Sequence, residues 1–191
     1  MTDLKQYLDF LHPVSSGTWD QVRVLFTPGN LSKGDYFIRE GQIATQMAFL
    51  REGIVRAFYR TGEGVEYNKH FFTPSSFIGG YASLITGTPN QINQQAIADC
   101  KIYVANFAEF SALYATCPDL EIAARRLAEL FFVNKEQREI EIVLLDADKR
   151  YQHFQEQFPN LEQLIPQYHI ASYLGITPTQ LSRIRRKFAG K

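Results

Sequence analysis

The pattern of apolar and polar positions divides the chain into three stretches. Residues 1–26 read as helical: Thr18-Trp19-Asp20-Gln21 resembles an N-cap start, and Trp19, Val22, Leu25 and Phe26 recur at helical spacing. From Phe26 to about Phe107 the texture changes to short runs of β-branched and aromatic residues. Turn signals separate them, among them Pro28-Gly29-Asn30, Lys33-Gly34-Asp35, Glu40-Gly41, Glu52-Gly53, Thr73-Pro74 and Thr86-Gly87-Thr88-Pro89. Their spacing of about 8–12 residues predicts an antiparallel sandwich or barrel. Ile54-Val55-Arg56-Ala57-Phe58-Tyr59 is the clearest strand. Thr61-Gly62-Glu63-Gly64 closes a hairpin onto Val65–Phe71.

From Pro118 onward the pattern is helical, with no glycine until Gly175. Pro118-Asp119 starts a helix on which Leu120, Ala123, Leu127, Leu130, Phe131 and Asn134 keep a 3/4 spacing. Leu144, Leu145 and Ala147 extend that stripe beyond a polar patch. A helix of about 25 residues with one apolar seam is too long for a small barrel to cover. A seam between two copies of the chain is the expectation, against a helix packed wholly within its own subunit. Phe158-Pro159-Asn160 breaks the helical run, and two short helices follow.

The most specific signal is Ile165-Pro166-Gln167-Tyr168-His169-Ile170-Ala171-Ser172-Tyr173-Leu174-Gly175-Ile176-Thr177-Pro178-Thr179-Gln180-Leu181-Ser182-Arg183-Ile184-Arg185-Arg186-Lys187. Pro166 fits an early helical position and Ala171 permits close helix–helix contact. Gly175 stands where the backbone must turn at positive φ, and Thr177-Pro178 reads as N-cap and first helical residue. Ile170, Leu174, Ile176, Leu181 and Ile184 face inward. A small residue four before the turn glycine, with apolar residues six and nine after it, is helix-turn-helix spacing. The second helix would enter a DNA major groove and present Thr179, Gln180, Ser182 and Arg183 to base edges, Gln suiting adenine and Arg guanine. Thr177, His169, Arg185, Arg186 and Lys187 complete the expected contact set, the last three on phosphates. The alternative is a helical hairpin ending in a solvated basic tail.

Composition adds a test of that reading. The chain has 191 residues, 45% hydrophobic and 21% charged, which is soluble-globular usage. Twenty basic and twenty acidic residues sum to zero, which taken alone argues against nucleic-acid binding. The distribution reverses this. Residues 168–191 hold five basic residues (Arg183, Arg185, Arg186, Lys187, Lys191) and no acidic ones, while the preceding 167 hold 15 and 20. Residues 70–98 contain no charged residue. Cys100 and Cys117 cannot build a disulfide framework, a four-cysteine metal site or an iron–sulfur cluster, and reduced, half-buried thiols in a cytosolic protein are expected. None of His12, His70, His153 and His169 lies in a haem-ligand motif, and no metal or cofactor is expected. The N-terminus lacks a basic region followed by an apolar stretch, and no run approaches a membrane span, so a cytoplasmic protein without membrane attachment is expected.

Taken together, these features resemble the Crp/Fnr family of bacterial transcription regulators over nearly the whole chain. Lys33-Gly34-Asp35-Tyr36-Phe37-Ile38-Arg39-Glu40-Gly41-Gln42 and Phe49-Leu50-Arg51-Glu52-Gly53-Ile54-Val55-Arg56 resemble the family's glycine-turn strand segments. The C-terminal motif is similar to that of a branch associated with the Bacteroidetes. The resemblance implies an α+β chain: an antiparallel cyclic-nucleotide-binding-type β-roll or jelly-roll barrel at 1–117, a dimerisation helix at 118–147 and a helix-turn-helix domain at 148–191. It implies a homodimer on a palindromic DNA operator, without catalysis. No strands are evident between Tyr151 and Pro166, where better-known members carry a hairpin.

The resemblance also points to a candidate effector pocket. It comprises Phe77, Gly79, Gly80, Tyr81, Ala82, Ser83, Asn90 and Gln91. In cAMP-binding members a Gly-Glu pair holds the ribose and an Arg-Ser or Arg-Thr pair the phosphate. Here the Glu position is Gly80, and the Arg and Ser positions are Asn90 and Gln91. A buried phosphate monoanion needs a cation, typically a bidentate Arg, and a charge left unpaired costs several kcal/mol. Loss of cyclic-nucleotide binding is therefore expected, with a packed corner or an unknown small-molecule effector in its place; Arg56 or Lys69 could restore anion binding. Two other classes fit the sequence less well. A cupin-like barrel enzyme needs clustered metal ligands, and Phe26–Phe107 holds a single histidine, His70. An interaction module would use the two C-terminal helices only as structure.

Overall fold

The computed structural model describes residues 1–189; Lys191, counted above in the basic segment, lies outside them. The chain runs α1 (Thr2–Leu11), α2 (Ser16–Arg23), β1 (Thr27–Leu31), β2 (Tyr36–Ile38), β3 (Gln46–Glu52), β4 (Val55–Arg60), β5 (Glu66–Phe72), β6 (Ser76–Ile78), α3 (Tyr81–Thr86), β7 (Asn93–Ala96), β8 (Cys100–Asn106) and α4 (Phe107–Ala112). It continues with α5 (Pro118–Leu144), α6 (Ala147–Gln157), α7 (Leu161–Leu164), α8 (Gln167–Leu174) and α9 (Pro178–Ala189). The fold is mixed, with antiparallel strand pairs. One sheet has the order β1-β8-β3-β6 and the other β2-β7-β4-β5. Two compact units result: residues 1–57 with 71–131, and residues 58–70 with those from Phe132 onward.

In the first unit the pattern of β3 explains the layering. Met47-Ala48-Phe49-Leu50 is buried on both faces. Met47 and Phe49 join a cluster with Leu4, Leu8, Leu11, Val22 and Phe110 from the helices and Phe26 from the segment before β1, and Phe49 and Phe77 pack edge-on at 5.3 Å. Ala48 and Leu50 point the other way, into a second cluster with Val55, Ala57, Ile78, Ala96 and Ile102. A strand covered on both sides reads as a continuous apolar run rather than an alternation. Register is fixed across three strands: Phe49 sits opposite Tyr103 on β8 and Phe77 on β6.

Gly53 shows how tightly the β3–β4 turn is drawn. Its φ is +94°, and a Cβ there would come within 2.4 Å of the Asp99 carbonyl oxygen. Cys100 packs beside it, and its thiol pKa is pushed up, mainly by burial. Both cysteines are free and buried, more deeply than the half-burial expected from sequence.

The N-terminal helices differ in one detail from expectation. Ser15, not Thr18, caps α2, its hydroxyl accepting the Thr18 N–H. Thr18 donates its own hydroxyl to Asp119 at 2.8 Å. Asp119 stands in the first turn of α5, which starts at Pro118 as the sequence predicts. Its carboxylate also accepts the Ser15 N–H at 2.8 Å. α5 buries only Leu120 and Ala123 completely. Leu130, Val133, Ile140 and Leu144 are 46%, 46%, 52% and 73% exposed. With Gln137 between them these residues keep a 3/4 repeat, an unpartnered stripe one step round from the predicted one.

The second unit is built from α6–α9, the last part of α5 and the outer hairpin of β4 and β5. Tyr151, Phe154, Leu161, Ile170, Leu174 and Leu181 are among its most buried side chains. Phe154, Phe158 and Tyr173 form an aromatic triangle with centroids 5.5–5.8 Å apart. Between Tyr151 and Pro166 the chain is helical or turn, with no strand among the described residues.

The Asp119 contacts set a pH dependence. Burial raises its pKa, but the Ser15, Thr18 and Leu120 hydrogen bonds outweigh this and leave it below the ordinary 3.8. A depressed carboxylate stabilises the fold above its unfolded value and loses that contribution as pH falls through the folded one. Asp119→Ala should lower stability by about 1–2 kcal/mol at pH 7, and the difference from wild type should shrink as pH drops below about 4, as measured by urea unfolding at each pH.

Candidate nucleic-acid interface and effector cassette

The α8–α9 turn is closed by backbone and side chain together. Gly175 has φ +66°, and the Ile176 N–H reaches the Ala171 carbonyl at 3.0 Å, so the last carbonyls of α8 are satisfied. Pro166 is the N-cap of α8 rather than its first helical residue. Thr177 then caps α9: its hydroxyl accepts the Gln180 N–H at 3.2 Å, and Gln180 Oε1 accepts the Thr177 N–H at 2.9 Å. This reciprocal pair is a capping box. Gln180, expected to face a base edge, caps the helix in this structure. A bidentate adenine contact needs the carboxamide oxygen, which here holds the cap.

Thr179, Ser182, Arg183 and Arg186 line a shallow, open groove along α9 with Pro178. Leu181 and Ile184 turn inward, as predicted, while Ile176 is only half-buried. The four expected cations on α9 divide in two. Arg185 pairs with Glu162 at 3.8 Å, and Lys187 pairs with Asp148, whose hydrogen bond raises the lysine pKa. Arg183 and Arg186 have no ion-pair partner among the described residues and face the groove.

His169 is the clearest correction. It is 5% exposed, so it cannot reach a phosphate. Its carbonyl accepts Asn68 Nδ2 at 3.0 Å, and its Nδ1 lies 3.3 Å from the same nitrogen. The face of α8 that carries it is covered by the β4–β5 hairpin. Asn68 and Ser172 belong to this contact and were not among the sequence candidates. His70, at the other end of that hairpin, packs edge-on against Phe158 at 5.5 Å. Burial first, then Lys69 and Arg138, lower its pKa to about 4, which keeps the ring neutral at pH 7.

The predicted effector cassette divides between interior and surface. Phe77, Gly80, Ser83 and Asn90 are buried, while Tyr81, Ala82 and Gln91 are exposed. Gly79 is held by Gln94 through two hydrogen bonds of 2.9 Å, one to its N–H and one from the amide to its carbonyl. Ser83 accepts the Ala44 N–H at 2.9 Å. Asn90 turns inward onto the Ile92 and Arg39 carbonyls, and a Cβ on Gly80 would stand 2.9 Å from its Oδ1. The space above Gly80 is thus filled by a neutral side chain. Arg56, 5% exposed, grips Gln95 Oε1 through Nε at 3.0 Å and Nη2 at 2.7 Å. Lys69 belongs to the other unit. At the corner itself, the neutral Asn90 and Gln91 stand where a cyclic phosphate would take a cation.

No group of three or more His, Cys, Asp or Glu side chains among the described residues is arranged to hold a metal. No helix among them is long and apolar enough to cross a membrane.

Comparison with known proteins agrees with this architecture. Residues 28–117 match the cyclic nucleotide-binding domain family. Three solved structures are similar in fold. The c-di-GMP responsive global regulator CLP of Xanthomonas campestris superposes with TM-score 0.72 at 14% identity, covering 92% of each chain. FixK2 from Bradyrhizobium japonicum gives 0.71 at 15% identity over 86% of this chain and 85% of that one. A Eubacterium rectale protein assigned to the crp/fnr family of transcriptional regulators gives 0.73 at 16%, over 96% and 88%. The chain thus has a Crp/Fnr-like fold. A search of curated proteins gives no match.

Proposed function

We propose that the chain is a homodimeric, sequence-specific DNA-binding regulator of transcription of Crp/Fnr type, without catalysis, acting in the cytoplasm, and that it does not respond to a cyclic nucleotide. The observation that carries the DNA reading is the groove of α9. Arg183 and Arg186, which have no ion-pair partner among the described residues, stand one turn apart on an exposed helix face, on a helix fixed by a Gly175 turn and a capping box. In a major groove Arg183 suits a guanine edge, with Thr179 and Ser182 beside it. Arg186 suits a phosphate, and the ion-paired Arg185 and Lys187 contribute less. Dimerisation is supported by the exposed stripe Leu130-Val133-Gln137-Ile140-Leu144 on α5. A polar residue inside such a stripe is a register-setting feature of coiled coils. Two subunits related by a two-fold axis would read half-sites about one helical turn apart.

A second reading is a regulator that binds a cyclic nucleotide through an atypical pocket. The family match of residues 28–117 and the buried Arg56 favour it. The filled corner at Gly80 favours the first.

An unbiased DNA selection with the purified chain tests the main reading, and a recovered palindromic site is the expected result. On that site Arg183→Ala should cost about 1–3 kcal/mol and relax base choice. Arg186→Ala should weaken all sequences alike and lower the salt slope by about one, whereas Lys187→Ala should change it less. Equal effects of the last two would contradict the division of charge on α9. Ile140→Asp should convert dimer to monomer in sedimentation; an unchanged sedimentation coefficient would place the dimer interface elsewhere. Calorimetric titration with cAMP, cGMP and c-di-GMP should show no micromolar binding, and a micromolar isotherm for any of them would favour the second reading.

A further inference from the structure

Residues 58–70 lie inside the segment that matches the cyclic nucleotide-binding domain, yet they form one compact unit with the C-terminal helices. They are the outer part of the β4–β5 hairpin, and β5 is the edge strand of its sheet. An edge strand presents N–H and C=O groups in need of partners. Ser172 on α8 supplies both with a single hydroxyl. It accepts the Asn68 N–H at 3.0 Å and donates to the Glu66 carbonyl at 2.7 Å. Asn68, 5% exposed, adds its side-chain amide to the His169 carbonyl at 3.0 Å.

These contacts fix one register. An apolar patch tolerates sliding, but three hydrogen bonds to backbone groups of set position and direction do not. The C-terminal end of α8 is held as well: Arg138 donates to the Tyr173 carbonyl, and Arg150 to the Leu174 carbonyl at 3.2 Å. The turn into α9 is closed by Gly175 and the capping box, so the placement of α8 is passed on to α9 without slack.

We propose that the outer β4–β5 hairpin is a positioning arm for the DNA-reading helix, with Asn68 and Ser172 as its positioning residues. This rests on the reading of α9 as the helix that contacts DNA. Sequence-specific contacts require the helix to be oriented against base edges, while non-specific binding depends on charge alone. Loss of the arm therefore lowers specific affinity and spares non-specific affinity and salt slope.

The full chain is tested on its selected site and on random-sequence duplex. Ser172→Ala and Asn68→Ala should each reduce the ratio of specific to non-specific affinity about tenfold, with the salt slope retained. Ser172→Thr, which keeps the hydroxyl, should restore the ratio. Hydrogen exchange gives a readout independent of DNA: the Asn68 amide should be protected in the wild type and exposed in Ser172→Ala. An unchanged ratio with an exposed amide overturns the positioning role. So does a parallel loss of specific and non-specific binding, which marks a merely structural contact. A wild-type selection that yields no site removes the DNA reading itself, and the arm's role with it, whereas a site read normally by Ser172→Ala removes only the arm.

Discussion

At several corners of the first unit backbone N–H and C=O groups turn inward, and a carboxamide meets them. Gln94 pairs with both polar groups of Gly79, Asn93 accepts the Glu40 N–H, Gln95 donates to the Gly34 carbonyl, and Asn90 bonds Ile92 and Arg39. Asn68 does the same for His169. A carboxamide carries a donor and an acceptor in the geometry of a peptide group, so it can stand in for a missing strand or turn. It does so without the desolvation cost of an ion. The 29 residues from His70 to Ala98 that contain no charge are stabilised in this way. The chemistry that satisfies the corners brings no charge of its own to them. One group stays unmatched: Asn93 Nδ2, buried without a partner among the described residues.

At the other end of the chain, placement of charge matters more than its total. Equal numbers of acids and bases cancel over the whole sequence. On α9 the cancellation is local and selective. Glu162 and Asp148 hold Arg185 and Lys187 against their own unit, while Arg183 and Arg186 are left for a partner. Exposed pairs of this kind contribute little to stability. Their effect here is geometric, because they separate two cations that anchor the helix from two that face outward.

Much of this was legible in the sequence, because the strongest signals are local. The hairpin turn at Thr61–Gly64, the start of α5 at Pro118, the positive φ of Gly175 and the Thr177 cap each depend on a few adjacent residues. What was not legible depends on distant neighbours. His169 reads as a surface histidine on a short helix, and only a hairpin 101 residues earlier in the chain buries it. The stripe on α5 was placed at Leu120, Ala123, Leu127, Leu130, Phe131 and Asn134. Leu120 and Ala123 prove to be covered by the chain's own first unit, and the exposed line runs through Val133 and Ile140. Apolar spacing marks a face but not what covers it. Gln180 has the same limit: its side chain suits an adenine edge and a capping box equally well in sequence, and only the folded turn shows its oxygen on the Thr177 N–H.

The edge of β5 has one further consequence, which concerns solubility. Val65 and Tyr67 are exposed beside Glu66 and Asn68, whose carbonyl and N–H are met by the Ser172 hydroxyl. When α8 leaves the hairpin, in a truncated chain or a partly unfolded one, that strand becomes an open template flanked by an aromatic and a β-branched side chain. Identical strands from two molecules can then pair edge to edge. The hydroxyl that holds α8 in register is thus also a guard against self-association, and the two-sheet domain expressed without its C-terminal helices should be the form of this protein most prone to aggregate.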